Sequence, residues 1–420
     1  MERFDHKSGA ERAAEGTSKV KIRKIETFPV ALELMLPFRH ASTAFTHMHY
    51  VMIKIETDAG VTGYGESIPA WEVTGETQFS VIDCIHHLTE ESKLGFSLIG
   101  QEVSTLRNVR DIMEVLCPDD RVNIFWGAPS AKAGLEEALL DIAGKTQGKS
   151  IYELFGGKMR PVPFAHVLGI APAKETIGRA KELLENGVDK LKLKIGIEKM
   201  DGLEDYQRDV EVVLGIRNLI EKLKPGTKMV ADANQGFITA DKTIAFLQKV
   251  PNCLEYLEQP VIAGDLLGMK KIKENCDVTL MADESLHSYH DAKILLELNA
   301  VDIFNVKLMK CGGMIEALKL ADLARKNNKK VVLGSMLENQ VGAIPSLHTF
   351  FCDDTIESTE SGFFSVLREN IGAGLAIDGN FVKVPSGPGI GLDVDETDFR
   401  KHLITADRSE ALRQILRLYQ

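Results

Sequence analysis

No run of about 18 apolar residues occurs anywhere in the chain, which removes a membrane-spanning helix. Paired cysteines are missing as well. The six, at 84, 117, 253, 276, 311 and 352, form no CxxC and no finger-like Cys/His spacing, so neither a disulfide framework nor a structural zinc site is indicated. Positive charge is in deficit: a formal net charge of −11 speaks against nucleic acid and anionic membranes, both of which reward clustered cations. There is no Walker motif, no GxSxG and no Cys–His nucleophile signature. Gly387, Gly389 and Gly391 make a GxGxG outside any strand–helix context, which is not a dinucleotide fingerprint. The opening segment, 1–19, lacks the apolar stretch of a secretory signal and reads as a disordered polar tail. What remains is a cytoplasmic protein with reduced thiols and a small-molecule ligand.

The chain is long enough for a sizeable core and two domains. VKIRKIETFPVALEL and HYVMIKIETDAGVTGYGES read as strands, the second with a Gly-punctuated turn. Helical spacing follows from Glu76 to about Cys117 and again from Ser130 to Lys145. This first part, 20–155, is expected to be an α+β domain. From Val162 the rhythm changes: strand-like runs near 162–169, 190–195, 228–233, 254–258, 278–283, 301–308, 330–336 and 355–360 alternate with helical stretches. Eight such strands separated by helices predict a parallel barrel over 156–369. The last segment, 370–420, is Gly-rich and then helical, and is expected to return to the first domain.

Within that barrel, Leu191-Lys192-Leu193-Lys194-Ile195 alternates with period two, which turns Lys192 and Lys194 inward. Two inward ammonium groups require counter-charges, because an unpaired buried charge is strongly unfavourable. Asp232, Glu258 and Asp283 supply them, each near the end of a strand-like run and about 25 residues from the next, one strand–helix unit. Residues at the carboxyl ends of barrel strands converge on one mouth, so the three carboxylates can meet. An oxygen-only set of this kind suits Mg²⁺. By the same alternation Asn305 and Lys307 point inward, Lys310 falls outside the site, Asp283 points inward and Glu284 outward, and Asn234 shares a face with Asp232.

These residues carry a resemblance over nearly the whole chain, from about Val20 onward. KxK at Lys192–Lys194, DANQG at 232–236, EQP at 258–260, ADES at 282–285, KLMKCGG at 307–313 and the late GPGIGL resemble the enolase superfamily, in its muconate lactonizing enzyme subgroup. The resemblance implies an α/β fold: a modified (β/α)7β TIM-type barrel with an α+β capping domain built from both chain ends. It implies one Mg²⁺ on Asp232, Glu258 and Asp283, with Asn234 and Glu284 supporting them. Lys194 and Lys307 become the acid/base pair, with Lys192 as an adjacent catalytic cation. The implied chemistry is removal of the proton α to a carboxylate by a Lys or His base, giving a metal-stabilised enediolate. The substrate is then a small carboxylate, and a homo-oligomer is in keeping with the family. A mandelate-racemase arrangement would need a His ending the seventh strand, and VVLGSMLEN has none.

Local similarity is greatest to dipeptide epimerases, in WEVTGETQFSVIDCIHHL, NVKLMKCGG and GSMLENQVG, the last of which contains Glu338. Those enzymes grip the substrate ammonium with an Asp-x-Asp after the eighth strand, where Gly362 and Phe364 stand here. Glu357 and Glu360 lie nearby as substitutes, while Phe363 and Phe364 would suit an N-acyl or other uncharged substituent. Segment 37–49, with Phe38, Arg39, His40, Phe45, His47 and His49, forms part of a specificity lid in which Arg39 could clamp a distal carboxylate. The substrate-contact candidates are therefore Arg39, Phe45, Glu338, Glu360 and Phe364. The expected activity is a racemase or epimerase of N-substituted amino acids or dipeptide-like substrates. A cycloisomerase or syn-dehydrating lyase of the muconate or o-succinylbenzoate type is the alternative. A binding protein that keeps the site without turnover is a third reading.

Overall fold

The computed structural model describes residues 19–41, 43–89, 96–116 and 128–404. The expected tail at 1–19 therefore lies outside the described residues except for Lys19, as do Cys117 and the last sixteen positions, 405–420. Three antiparallel strands begin the fold: β1 (Ile22–Arg39), β2 (Ala44–Thr57) and β3 (Thr62–Ser67). Around them lie α1 (Trp71–Thr74), α2 (Gln78–Thr89), α3 (Leu106–Leu116), α4 (Pro129–Gln147) and α5 (Ile151–Leu154). Helix α4 starts with Pro129 in its first turn, where a missing N–H costs nothing. Its small residues bring it into backbone contact with β3: a Cβ on Gly65 would lie 2.0 Å from the Gly134 carbonyl.

The second body is the barrel. The sequence run at 162–169 divides in two: β4 (Val162–Pro163) pairs with a late hairpin, and β5 (His166–Leu168) is the first barrel strand. Pro163 has no N–H to give a central ladder, which fits its place in the smaller sheet. The chain then alternates α6 (Ala173–Glu185), β6 (Lys190–Lys194), α7 (Gln207–Leu223), β7 (Lys228–Asp232), α8 (Ala240–Lys249) and β8 (Leu257–Glu258). It continues with α9 (Leu266–Asn275), β9 (Leu280–Ala282), α10 (Tyr289–Glu297), β10 (Ile303–Val306), the single turn α11 (Leu308–Cys311) and α12 (Met314–Lys326). The last unit is β11 (Lys330–Leu333), α13 (Gln340–Phe350) and β12 (Ile356–Thr359). Strands β5 to β12 form one parallel sheet in sequence order, and a parallel bridge from Phe164 to Thr359 joins its two ends. No helix completes a unit after β12, so the body is a (β/α)7β barrel with an α+β cap.

Alternation along the strands sorts this interior. Leu191 and Leu193 face the helices and are fully buried, each contributing about 1.5–3 kcal/mol relative to exposure. On the inner face Val230, Tyr256, Met281, Ile303 and Val332 form a separate apolar cluster. Each of Val230, Tyr256 and Met281 sits two residues before one of the three acids, Asp232, Glu258 and Asp283. Apolar side chains thus plug the barrel below while the charges gather at its carboxyl end.

After β12 come the hairpin β13 (Ala376–Asp378) and β14 (Phe381–Lys383), then α14 (Glu396–Lys401). This segment runs back to the first sheet. Phe399 packs on Phe28 and Tyr64, Glu396 pairs with Lys54 at 2.6 Å, and the Ala31 amide donates to the His402 carbonyl.

Candidate active site

Strands β6, β7, β8 and β9 deliver the charged cluster. Asp232, Glu258 and Asp283 are buried, and each offers an oxygen within 4.8 Å of the others. Lys192 donates to Glu258 and Glu360 at 2.6 Å each, and lies 3.1 Å from Asp232. Lys194 donates to Asp232 at 2.5 Å and to the Asn234 side-chain carbonyl at 2.9 Å. Across the mouth, Lys307 donates to Asp283 at 2.7 Å. Lys194 is on the second barrel strand and Lys307 follows the sixth, so the two approach from opposite walls of an eight-stranded ring.

Burial disfavours every charge here, and the partners decide the outcome. Desolvation would raise Asp232 and Asp283, but Lys192 and Lys194 for the first, and Lys307 and Lys310 for the second, hold both below the usual carboxylate range. Lys192 and Lys307 are correspondingly held above the ordinary lysine value despite burial, each by its carboxylates. Glu258 is pushed up, first by burial and then by the charge of Asp232. Glu284 is raised to about 7 by burial and by Asp283 and Asp232. The donor set is all oxygen, which fits a hard divalent cation.

Two placements correct the alternation argument, and a third corrects the choice of Phe364 by resemblance. Lys310 is not outside the site: its ammonium donates to the Asp283 carboxylate at 2.5 Å, to the Asp283 carbonyl and to the Asn305 carbonyl. Strand β10 ends at Val306 and the next residues form the turn α11, so the period changes from two to helical and Lys310 returns to the side of Lys307. Glu284 is not turned outward. Strand β9 stops at Ala282, the Leu286 amide closes a turn onto the Asp283 carbonyl, and Glu284 accepts from Asn234 at 3.2 Å inside the mouth. Phe364 is buried away from the cavity, because Phe363–Val366 is a 3-10 turn that presents Phe363 instead.

A cavity of about 380 Å³ lies over the cluster and includes Lys194, Asp283, Lys307 and Glu360 in its lining. Its roof comes from the first sheet. Phe38, His40 and Phe45 line it, whereas Arg39 is exposed and outside it, since alternation along β1 turns 39 away from 38 and 40. Glu338 is not in the lining either. It holds the loop after β11 together, accepting from the Ser335 hydroxyl and from the Met336 amide at 2.8 Å. Leu337 of that loop adopts φ +72°, and its carbonyl accepts from the Tyr50 hydroxyl at 2.8 Å, tying cap to barrel. Glu357 is exposed, paired with Lys330.

Gln259 went unrecognised beyond its place in EQP. Its buried side-chain carbonyl accepts from the Asp283 and Ser285 amides at 3.0 and 3.1 Å, which sets the backbone that carries Asp283. A buried amide between two acidic strand ends was the available signal.

Residues 22–156 match the family described as mandelate racemase / muconate lactonizing enzyme, N-terminal domain, and residues 175–398 the one described as enolase C-terminal domain-like. The chain belongs to the enolase superfamily. It is 30% identical to N-succinyl-L-Arg/Lys racemase of Bacillus cereus over 390 residues, 92% of this chain and 99% of that one. The crystal structure of the same racemase superposes with a TM-score of 0.82 over 91% of this chain and 98% of that one. A dipeptide epimerase of Enterococcus faecalis, solved with Mg and L-Leu-L-Tyr, matches at 28% identity and TM-score 0.78, covering 89% of this chain and 99% of that one. A muconate lactonizing enzyme of Pseudomonas fluorescens, solved with muconolactone, matches at 28% and 0.81, covering 91% and 99%. This protein is accordingly an enzyme of the superfamily's isomerase and lyase branch. Among the described residues of the enzyme, no helix is long and apolar enough to cross a membrane.

Proposed function

We propose that this enzyme is a racemase or epimerase that removes the proton α to the carboxylate of an N-substituted amino acid or dipeptide-like substrate and returns it on the opposite face. The observation that carries the reading is the pair of lysines on opposite walls of one cavity, Lys194 and Lys307, with the carboxylate triad between them. Mg²⁺ held by Asp232, Glu258 and Asp283 would supply the positive charge that makes a carboxylate α-proton acidic enough to remove. Lys194 takes or gives the proton on one face and Lys307 on the other, each steered by the carboxylate it touches. Lys192 stays an ammonium between Glu258 and Glu360 and acts through its charge. Lys310 and Gln259 hold Asp283 in place.

The cavity favours an uncharged N-substituent. Phe38, Phe45, Phe363 and Trp71 are in its wall, and among its described lining residues Lys194 and Lys307 are the lysines and no arginine occurs. Glu360, the acid that follows the eighth strand, is already engaged by Lys192.

Proton NMR in D₂O with Mg²⁺ tests the reading, with pooled N-acylamino acids, dipeptides and muconate-type acids. Exchange at the α-position with racemisation, lost in Lys194→Ala and Lys307→Ala, is the expected result. Turnover of a muconate or o-succinylbenzoate precursor with no exchange in any amino-acid pool would move the enzyme to the cycloisomerase or lyase reading. Mg²⁺ binding without either reaction would make it a binding protein.

A further inference from the structure

The loop that joins β11 to α13 touches one of the two lysines and is held from outside the barrel. Its first residue, Gly334, lies against the Lys307 stem: a Cβ there would sit 2.6 Å from Lys307 Cε and 2.0 Å from the Asn305 side-chain carbonyl. The Gly334 amide donates to the carbonyl of Val306 at 3.0 Å, so the loop starts on the residue that precedes Lys307. The next three residues, Ser335, Met336 and Leu337, line the cavity. One short stretch therefore shapes the cavity wall and bears on Lys307 at once.

Leu337 stands at φ +72°, in the left-handed region that a bulky side chain adopts only where its surroundings impose it. The surroundings here belong to the cap. Tyr50, fully buried on β2, donates from its hydroxyl to the Leu337 carbonyl at 2.8 Å. Glu66, fully buried on β3, accepts from the Asn339 amide at 3.0 Å on one oxygen and from the Gly342 amide at 2.9 Å on the other. Gly342 makes room for that carboxyl group, since a Cβ there would lie 2.9 Å from its carbon. Across the mouth, the strand end that carries Lys194 is held by groups of the barrel itself. The Ile195 amide donates to the Asp232 carbonyl at 2.9 Å, and the Gly196 and Ile197 amides donate to the Asp209 carboxylate at 2.8 and 3.0 Å.

We propose that Tyr50 and Glu66 are positioning residues: by clamping the loop 334–339 they seat Gly334 against Lys307 and so fix that lysine, rather than Lys194, over its face of the α-carbon. The inference rests on the two-lysine reading above, in which Lys307 moves the proton on one face. A strained loop relaxes when its outer contacts are removed, and the side chain packed on its first residue shifts with it. The cap then sets one half of the reaction through a hydroxyl and a carboxyl group that lie outside the cavity lining.

The test compares the two faces in one sample. Loss of the α-proton in D₂O with Mg²⁺ is followed by NMR at saturation for the L and D forms of N-acetylphenylalanine, or of the pooled N-acylamino acid or dipeptide that the wild type exchanges fastest. Lys307→Arg, which keeps the charge and removes the base, identifies the form that presents its proton to Lys307. Tyr50→Phe and Glu66→Gln, the second keeping one acceptor of two, are each expected to slow that form about three- to tenfold and the other form less than about twofold. The double variant is expected to lose less than the product of the single losses, because both residues hold one loop. Both forms are exchanged by the same protein, so the ratio of their rates does not depend on the fraction folded. Equal slowing of both forms, slowing of the Lys194 form alone, or no slowing of either overturns the positioning role and leaves the functional reading standing. No exchange by wild type on any N-acylamino acid or dipeptide overturns both.

Discussion

The buried aspartates of the barrel mouth and the buried glutamates of the seam between cap and barrel meet opposite fates. At the barrel mouth, burial would neutralise Asp232 and Asp283, but direct contact with lysine ammonium groups keeps them ionised. At the seam between cap and barrel, Glu66 accepts from the Asn339 and Gly342 amides at the start of α13, and Glu136 from the Ile315 amide at the start of α12. Glu137 accepts from the Glu66 amide. Desolvation wins there: Glu66 and Glu136 are pushed up to about 8, and Glu137 is raised well above the ordinary carboxyl value. A backbone amide offsets part of the cost of burying a carboxylate, whereas two ammonium groups on one carboxylate, as at Asp232 and Asp283, offset it and leave a working charge; Glu258, with Lys192 alone, is still raised. One cluster is suited to electrostatic chemistry and the other to joining two bodies through helix N-termini.

The comparison breaks hardest at the lysines. Lys194→Ala or Lys307→Ala is expected to slow α-proton exchange by about 10²- to 10⁴-fold, measured by NMR, while Glu136→Gln at the seam should leave that rate nearly unchanged. Stability gives the next largest contrast. Asp283→Asn leaves Lys307 and Lys310 without their carboxylate and should cost about 3–5 kcal/mol in urea unfolding. Glu66→Gln at pH 7 should cost about 1 kcal/mol or less, because Gln replaces an acid that is already mostly protonated.

The two regions should also differ in the sign of their pH dependence. Glu66 and Glu136 hold protons more tightly folded than unfolded, so their contribution is complete below the ordinary carboxyl value of 4.5 and is lost as pH rises toward about 8. The loss is at most about 1.4 kcal/mol per pH unit for each group. Asp232 and Asp283 work the other way: their contribution is present above the ordinary value of 3.8 and is lost on acidification. Unfolding curves from about pH 5 to 8 should therefore slope downward in wild type and less steeply in the Glu66→Gln, Glu136→Gln double variant. An unchanged slope would mean the seam glutamates are ionised. The smallest effect is expected for Arg39→Ala, within about twofold in kcat/KM, since alternation turns its side chain out of the cavity. A larger loss would place Arg39 on the substrate.

Period-two reasoning located the inward charges wherever a strand continued. Lys192, Lys194, Asp232 and Glu258 lie inside the strands that the alternation predicted, and all four are buried in the barrel interior. It failed two to four residues past a strand end, at Glu284 and Lys310. Lys310 and Glu284 each follow a turn that resets the direction of the side chains, and nothing in local alternation marks where that turn begins. Arg39 fell to the same rule in reverse: its own strand continues, and alternation would have excluded it had the strand been extended to Arg39.

By itself the sequence determined the number and order of barrel strands and the kind of charge each carries to the mouth, because hydrophobic period and residue type are local properties of the chain. Only the tertiary structure decided which lysine touches which acid, that the tip of β1 sets His40 over the floor, and that burial raises the seam glutamates while ammonium contacts lower the mouth aspartates. Those outcomes depend on groups brought together from distant parts of the chain and on the desolvation they share, and neither is written in any single stretch of residues.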